Sequence, residues 1–226
     1  MSGIVTATEM GMLNDTERLR VISNNLANVG TVGFKRQLAV GSATFDQVLT
    51  AYTDRSAGTL THTGNPLDLA LEGDAYFVID TGLQQAYTRQ GTFRLDADGQ
   101  LVTSNGQKVV TTQGDVRLTS PAPAIDAQGN IRDNSAVVGQ LKLVTVSNPQ
   151  SLLESGNGLY TATDSTVAVP AETARVRQGY TEAANVVTMN EMIKMIETVR
   201  HFEASQKMLQ GYDSMLDRAI TDLGNT

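Results

Sequence analysis

Five apolar side chains at a strict seven-residue interval constrain this chain more than any other feature: Met195, Phe202, Leu209, Leu216 and Leu223. Met192, Val199 and Ile220 take the position three residues earlier in the repeat, in a row that Gln206 and Asp213 interrupt. A sustained apolar heptad is what a helix shows when it packs along another helix, and it predicts a helix from Thr188 to Leu223. Thr188 with Glu191 reads as a capping box at its start, and Gly224 as its stop. Glu191/Lys194, Glu197/Arg200, Glu203/Lys207 and Arg218/Asp222 place opposite charges at helical spacing on the outer face. At 1.5 Å per residue this is a rod of roughly 50 Å, longer than a small domain needs. It requires a partner.

The other end of the chain supplies one. Val5, Met12, Leu19 and Leu26 are also seven apart, with Ile22 and Val29 alongside, and Thr6 with Glu9 offers a second capping box. Gly11, Asn14, Asp15 and Thr16 are weak helix formers, so this helix must depend on packing. The simplest solution pairs the two ends in one coiled-coil module, residues 1–35 with 181–226. The Asn- and Gly-rich stretch from Ser23 to Gly33 predicts a helix end between Asn28 and Gly30, with Phe34 as an anchor onto a neighbouring surface.

Residues 36–58 read as a connector in which Phe45, Val48, Leu49 and Tyr52 form a helical turn or two. From residue 59 to 180 the period changes to two. Leu67, Leu69 and Leu71 predict a half-buried strand, Ala75 to Ile79 a short apolar strand, and Val138 to Val146 the longest later one. Turn signals recur at Asp80-Thr81-Gly82, Asp96 to Gly99, Asn105-Gly106, Gln113-Gly114, Gln128-Gly129-Asn130 and Asn157-Gly158. The expected fold class is therefore α+β: a discontinuous module of N- and C-terminal helices with an inserted, mainly antiparallel β-domain, a barrel or sandwich. All eight Met residues fall in the terminal segments and none in the β region, which suits helices whose surfaces repack against several neighbours and equally the plain preference of Met for helices.

Composition removes several classes of function. With a net charge of −7 and no basic run, nucleic-acid binding has no electrostatic footing. There is no cysteine, hence no thiol nucleophile or thiolate metal site. No apolar run approaches the ~20 residues of a spanning helix, and Met1 to Ile4 begins no cleaved secretory signal. His62 and His201 are far apart and lack ligand spacing. Asp96-x-Asp98-Gly99 begins like a calcium loop but lacks the remaining ligands and the closing Glu. Nucleophile elbows, Walker loops and dinucleotide fingerprints do not occur. Neither metal nor cofactor is expected. Glu72 and Asp74, two apart on a strand, share a face as the carboxylate pair of a wall hydrolase would require, although Gly73 between them and the polar neighbours suggest a solvated strand end.

Ser23-Asn24-Asn25-Leu26-Ala27-Asn28-Val29, followed by Thr31, Gly33, Phe34 and Lys35, resembles the N-terminal signature of flagellar rod and hook axial proteins. Glu191-Met192-Ile193-x-Met195-Ile196 with Arg200-x-Phe202-Glu203, Gln206 and Lys207 resembles their C-terminal signature. Thr63 to Ala70 and Tyr87-Thr88-Arg89-x-Gly91-x-Phe93 resemble the β-domain motifs between them. Within the family, the short length and Arg200-x-Phe202-Glu203 resemble proximal-rod members, and the short connector from Phe34 to Gly58 differs from distal-rod ones. The resemblance implies a non-enzymatic axial subunit of the bacterial flagellar basal body. It would be exported through the flagellar type III apparatus without a cleaved signal and would assemble across the periplasm with itself and other rod and hook proteins. No membrane insertion is implied, and terminal helices would form an inner tube inside an outer β layer. Asn14-Asp15-Thr16 departs from strict coiled-coil packing. Val5, Met12, Leu19, Ile22, Leu26, Met192, Met195, Val199, Phe202, Leu209, Leu216, Ile220 and Leu223 are the expected assembly interface, with Asn24, Asn25, Leu26, Ala27, Asn28, Thr31, Gly33 and Phe34 as the family motif. The rival readings are a distal-rod member, a cell-wall hydrolase using Glu72 and Asp74 with a coiled-coil dimerisation tail, and a binding module dimerised through its helices.

Overall fold

A computed structural model describes residues 2–41, 49–134, 136–147, 152–162, 169–170 and 174–224. Helix α1 spans Ser2–Ala27 and helix α2 spans Thr188–Gly224, with antiparallel β structure between them. The chain divides into two compact units. One comprises Met1–Val29, Arg36–Asp54 and Val186–Thr226, and the other Gly30–Lys35 and Arg55–Asn185.

In the first unit α1 begins at Ser2, so Thr6 and Glu9 lie within the helix rather than at its cap. Its end falls where the Asn cluster predicts: the Asn28 side-chain amide donates to the Asn24 carbonyl at 2.9 Å and to Asn24 Oδ1 at 3.1 Å, closing the last turn. The expected connector is in part a β-hairpin. Gln37–Val40 pairs antiparallel with Thr50–Thr53, in register Gln37↔Thr53 to Val40↔Thr50. Tyr52 therefore stands in a strand, while Phe45 and Val48 fall outside the described residues. Thr and Tyr favour extended backbone, and Arg36 Nε donates to Asp54 Oδ2 at 2.8 Å beside the hairpin's open end.

The second unit is built around the strand Ala75–Asp80. Gln85–Thr88 pairs along one edge, and Leu143–Thr145 with Lys108–Val109 along the other. Leu159–Ala162 and Leu152–Glu154 extend the sheet one way, Leu101–Thr103 and Phe93–Leu95 the other. Ala75, Phe77 and Ile79 face a core containing Leu69, Phe93, Ile131 and Val176, whereas Tyr76 and Val78 join Tyr87, Val144 and Tyr160 on the opposite face. Burial on both faces is why this segment reads as a continuous apolar run instead of alternating. Val138 to Val146 is two strands, Ala136–Gln140 and Leu143–Thr145. The chain changes partners between them, with Leu141 N donating to Gly129 O and Lys142 N to Val110 O.

Two glycines of the family motif are required by close approach. A Cβ on Gly91 would lie 1.5 Å from the Leu69 carbonyl oxygen. Gly33 has φ +68°, and a Cβ there would lie 2.8 Å from the Arg89 backbone, so only glycine fits. That approach sets Phe34 and Lys35, both buried, in the β unit. Lys35 Nζ donates to Glu182 Oε1 at 2.5 Å and to the Ser56 carbonyl at 2.8 Å. Arg89 Nε donates to Glu182 Oε2 at 2.8 Å, and its Nη1 to the carbonyls of Gly73 and Ala75. The Gly58 amide completes the carboxylate's shell at 2.8 Å. The three side chains are 2%, 5% and 1% exposed, so each charge relies on protein partners in place of water.

Burial alone pushes the Glu182 carboxyl up, but the Arg89 charge, the Lys35 and Gly58 hydrogen bonds and the Lys35 charge outweigh it and hold it below the usual value. A carboxyl held low in the folded state contributes stability that is fully present above its unfolded pKa, about 4.3, and is lost as pH falls through the folded value. Glu182→Gln leaves two buried cations around a neutral amide and should destabilise the β unit by about 3–5 kcal/mol near neutrality. The gap to the unmodified chain should narrow below about pH 4. Urea unfolding followed by circular dichroism of the strands measures both; equal midpoints near pH 7 would contradict the role given to the triad.

Candidate assembly surface

α1 and α2 pack antiparallel within the first unit, and three contacts fix their register. Thr8 meets Met208 Sδ at 4.0 Å, Asp15 Oδ2 meets His201 Nδ1 at 2.5 Å, and Asn25 Nδ2 donates to Glu191 Oε2 at 3.0 Å. Each step forward along α1 is matched by an equal step back along α2, so the two stay in phase. The deepest seam positions are polar: Asp15 is 0% exposed, Asn25 1% and Glu191 2%. Asn25 also holds both backbone atoms of Gln37, its Oδ1 accepting from the amide at 2.7 Å and its Nδ2 donating to the carbonyl at 2.8 Å. Asn14 Oδ1 accepts the Leu49 amide at 3.2 Å. Asn14 and Asp15 are thus anchors between elements, while Thr16 is exposed and donates to the Met12 carbonyl within its own helix.

Glu191 corrects two expectations. Its carboxylate accepts from Asn25 and, at 2.9 Å, from Lys194; it is turned into the seam and is neither capping Thr188 nor part of a solvated face. His201 engages buried Asp15 while its ring stays 62% exposed.

The apolar residues singled out from sequence fall into three environments. Ile22 is buried; Val5, Met12, Leu19, Leu26, Met195, Phe202 and Leu209 are half-buried. Met192, Val199, Leu216 and Ile220 are exposed, Ile220 by 68%, and the Leu223 side chain lies outside the described residues. Met189, Ile193 and Ile196, exposed by 66%, 47% and 54%, were not among the interface residues expected from sequence, although Ile193 and Ile196 stand in the C-terminal signature. Together with Met192 and Val199 they occupy an arc of roughly 120° on the back of α2, a width typical of a helix face that packs on something. Spacings of three and four among these residues are the signal that could have found them; the strict seven-residue row drew attention away. Among the motif residues, Asn24, Leu26 and Asn28 are half-buried and Ala27 exposed at the end of α1, and Thr31, Gly33 and Phe34 belong to the β unit.

Chemistry of other kinds finds little support in the geometry. Glu72 is engaged by Arg177 at 2.6 Å, and Asp74 stands exposed beyond Gly73. His62 packs edge-on against Tyr180 at 4.9 Å. Asp96 Oδ1 accepts the amides of Asp98 and Gln100, closing a turn. Among the described residues no His, Asp or Glu cluster is arranged to hold a metal, and no helix is long and apolar enough to cross a membrane.

Three family profiles match in chain order. They are flagella basal body rod protein over residues 10–35, flagellar hook protein FlgE/F/G D1 domain over 70–176, and flagellar basal body rod FlgEFG protein C-terminal over 177–222. Asp15 and Asn25 lie in the first span, Glu191 and His201 in the third. Among full-length relatives, flagellar basal-body rod protein FlgG of Bacillus subtilis is 32% identical over 93% of this chain and 95% of its own. Flagellar basal-body rod protein FlgF of Mesorhizobium japonicum is 31% identical over 92% of both chains, and that of Caulobacter vibrioides 32% over 91% of both.

Asn25→Ala removes the hydrogen bonds to the Gln37 backbone and to Glu191. It should lower the stability of the helical unit by about 2–3 kcal/mol and leave the β unit unchanged. Thermal unfolding followed at the helical circular-dichroism band checks this; a change under about 0.5 kcal/mol, the size of an ordinary surface substitution, would contradict it.

Proposed function

The chain belongs to the flagellar basal-body rod protein family, and from that premise we propose that it is a structural subunit of the bacterial flagellar basal-body rod. On this reading it has no enzymatic activity and assembles through its terminal helices into the axial shaft. The observation that carries the reading is the apolar back of α2, from Met189 to Val199, which has no covering element among the described residues. Solvated monomers gain little from such a surface, whereas stacked copies bury it.

The reading includes export through the flagellar type III apparatus, a position in the periplasm-spanning rod, and contacts with itself and with other rod and hook axial proteins. Coiled-coil packing belongs to the assembled state. The assembly module is the pair of terminal helices, and the expected interface is widened by Met189, Ile193 and Ile196. Relatives of both FlgF and FlgG name match over nearly the whole chain. The short stretch between Phe34 and Gly58 supports a proximal position in the rod over a distal one. The wall-hydrolase reading is abandoned: Glu72 is held by Arg177, and the relatives are rod proteins.

Energetically, burying a Leu, Ile or Met side chain in full contributes roughly 1.5–3 kcal/mol, so five half-exposed ones supply several kcal/mol per contact. Part of that offsets lost motional freedom, which suits a contact that forms by addition to a growing end. Ile193→Asp and Ile196→Asp each place a charge on the uncovered face without touching the seam. Monomer stability should shift by no more than about 0.5 kcal/mol, while incorporation into the rod, and with it motility of a complemented non-motile strain, is lost. Normal motility with either variant would overturn the reading.

A further inference from the structure

The in-phase register leaves one part of α2 without α1 beside it. Carrying the Thr8–Met208 contact back to the start of α1 sets Ser2 opposite Ser214, so Met215–Gly224 projects beyond the pair. Those ten residues amount to about 15 Å of helix. The projection continues the seam: Leu216 and Ile220 follow Leu209 at intervals of seven and four, and are 38% and 68% exposed because α1 has ended. Asp217 flanks them on the same side of the helix.

The same unit holds a groove of about 450 Å³ where α1, α2 and the strand Gln37–Val40 meet. Val21, Ile22 and Leu38 form apolar wall, while Arg18, Lys194 and Glu197 carry charge around it. Arg18 and Lys194 keep about half of their side-chain surface in solvent, 49% and 45%, while each contacts a single carboxylate oxygen, so both retain donors. Along α2 the groove runs from Glu191 to His201, ten residues on, or about 15 Å. The lengths match.

Building on the rod-subunit reading, we propose that the projecting end of α2 in one copy docks into this groove of the next copy. Leu216 and Ile220 lie against Val21, Ile22 and Leu38, and Asp217, on the flank of that face, meets Lys194 or Arg18. A single copy cannot make this contact with itself. Glu197 and Ile220 lie on one continuous helix, 23 residues apart, which is about 35 Å. Tail and groove are different surfaces, so the contact is heterologous: each docking leaves a free tail at one end and a free groove at the other, and growth continues instead of stopping at a dimer.

The chain contains no cysteine, so introduced pairs report without background. Full-length chain carrying Ala39→Cys with Ile220→Cys, and separately Leu38→Cys with Leu216→Cys, is concentrated until it sediments as polymer and then mildly oxidised. Non-reducing electrophoresis should show a ladder of dimers, trimers and higher species for at least one pair, monomer alone for each single variant, and dimers when two complementary single variants are mixed. Helical circular dichroism matching the unmodified chain confirms that each variant is folded. Polymer that sediments but yields no ladder from either folded pair overturns the docking and leaves the rod reading intact. Dimers from a single variant also overturn it, since they indicate a tail-to-tail or groove-to-groove contact. Failure to sediment at any concentration overturns both.

Discussion

A buried polar group must find its partner or carry the loss, and this rule sets the geometry of the helical unit. Asp15, Asn25 and Glu191 lie in the seam between α1 and α2 with almost no solvent contact. Sliding one helix by a turn would separate Asp15 from His201 and Asn25 from Glu191 together. Each orphaned group would cost about 1–3 kcal/mol, and the charged ones more. Apolar burial has no such preference, because a Leu loses little by moving from one greasy neighbour to the next. The heptad residues supply attraction, and the polar ones decide where it is applied. Since α2 has 37 residues and α1 only 26, a fixed register also fixes which part of α2 stays uncovered.

The β unit uses the same device on a different scaffold. Glu182 is placed between Lys35 and Arg89, which come from distant parts of the sequence, and its carboxylate is fully engaged by protein donors. The stretch from Asn24 to Lys35 supplies parts to both units: Asn25 to the helical seam, Gly33, Phe34 and Lys35 to the β core. A dense run of Asn and Gly therefore has two separate jobs, each stated by its own hydrogen bonds. Neither is a catalytic job, and both concern where segments are held.

Much of this was legible in the chain. Heptad spacing announced two helices, and Asn-Gly, Asp-x-Gly and Gln-Gly pairs marked the turns of an antiparallel β region, because both signals are local and steric. What escaped notice depends on contacts between distant residues. Asn14-Asp15-Thr16 looks like a weak point until His201 and Leu49 are known to face it. Glu191 looks like a cap until Asn25 is seen to bind it. The hairpin of Gln37–Val40 with Thr50–Thr53 was hidden in a stretch without a clear alternation of apolar and polar residues, and its first strand is held at Gln37 by Asn25, a contact that local pattern does not show. The back of α2 was missed for a related reason: its Met and Ile residues keep a period of three and four, which the regular row of sevens obscures.

The central claim is that α2 is incompletely covered within one copy and becomes covered by assembly. Hydrogen exchange along α2, in dilute monomer and in assembled material, tests it most directly. In the monomer, amides from Met215 to Gly224 should exchange almost as fast as in an unfolded chain. Those from Met189 to Ser214 should be intermediate, and the strand Ala75–Asp80 slow. On assembly the whole of α2 should slow to match that strand, which itself should barely change. An α2 already as slow as Ala75–Asp80 in the dilute monomer, and unaltered on assembly, would contradict the account.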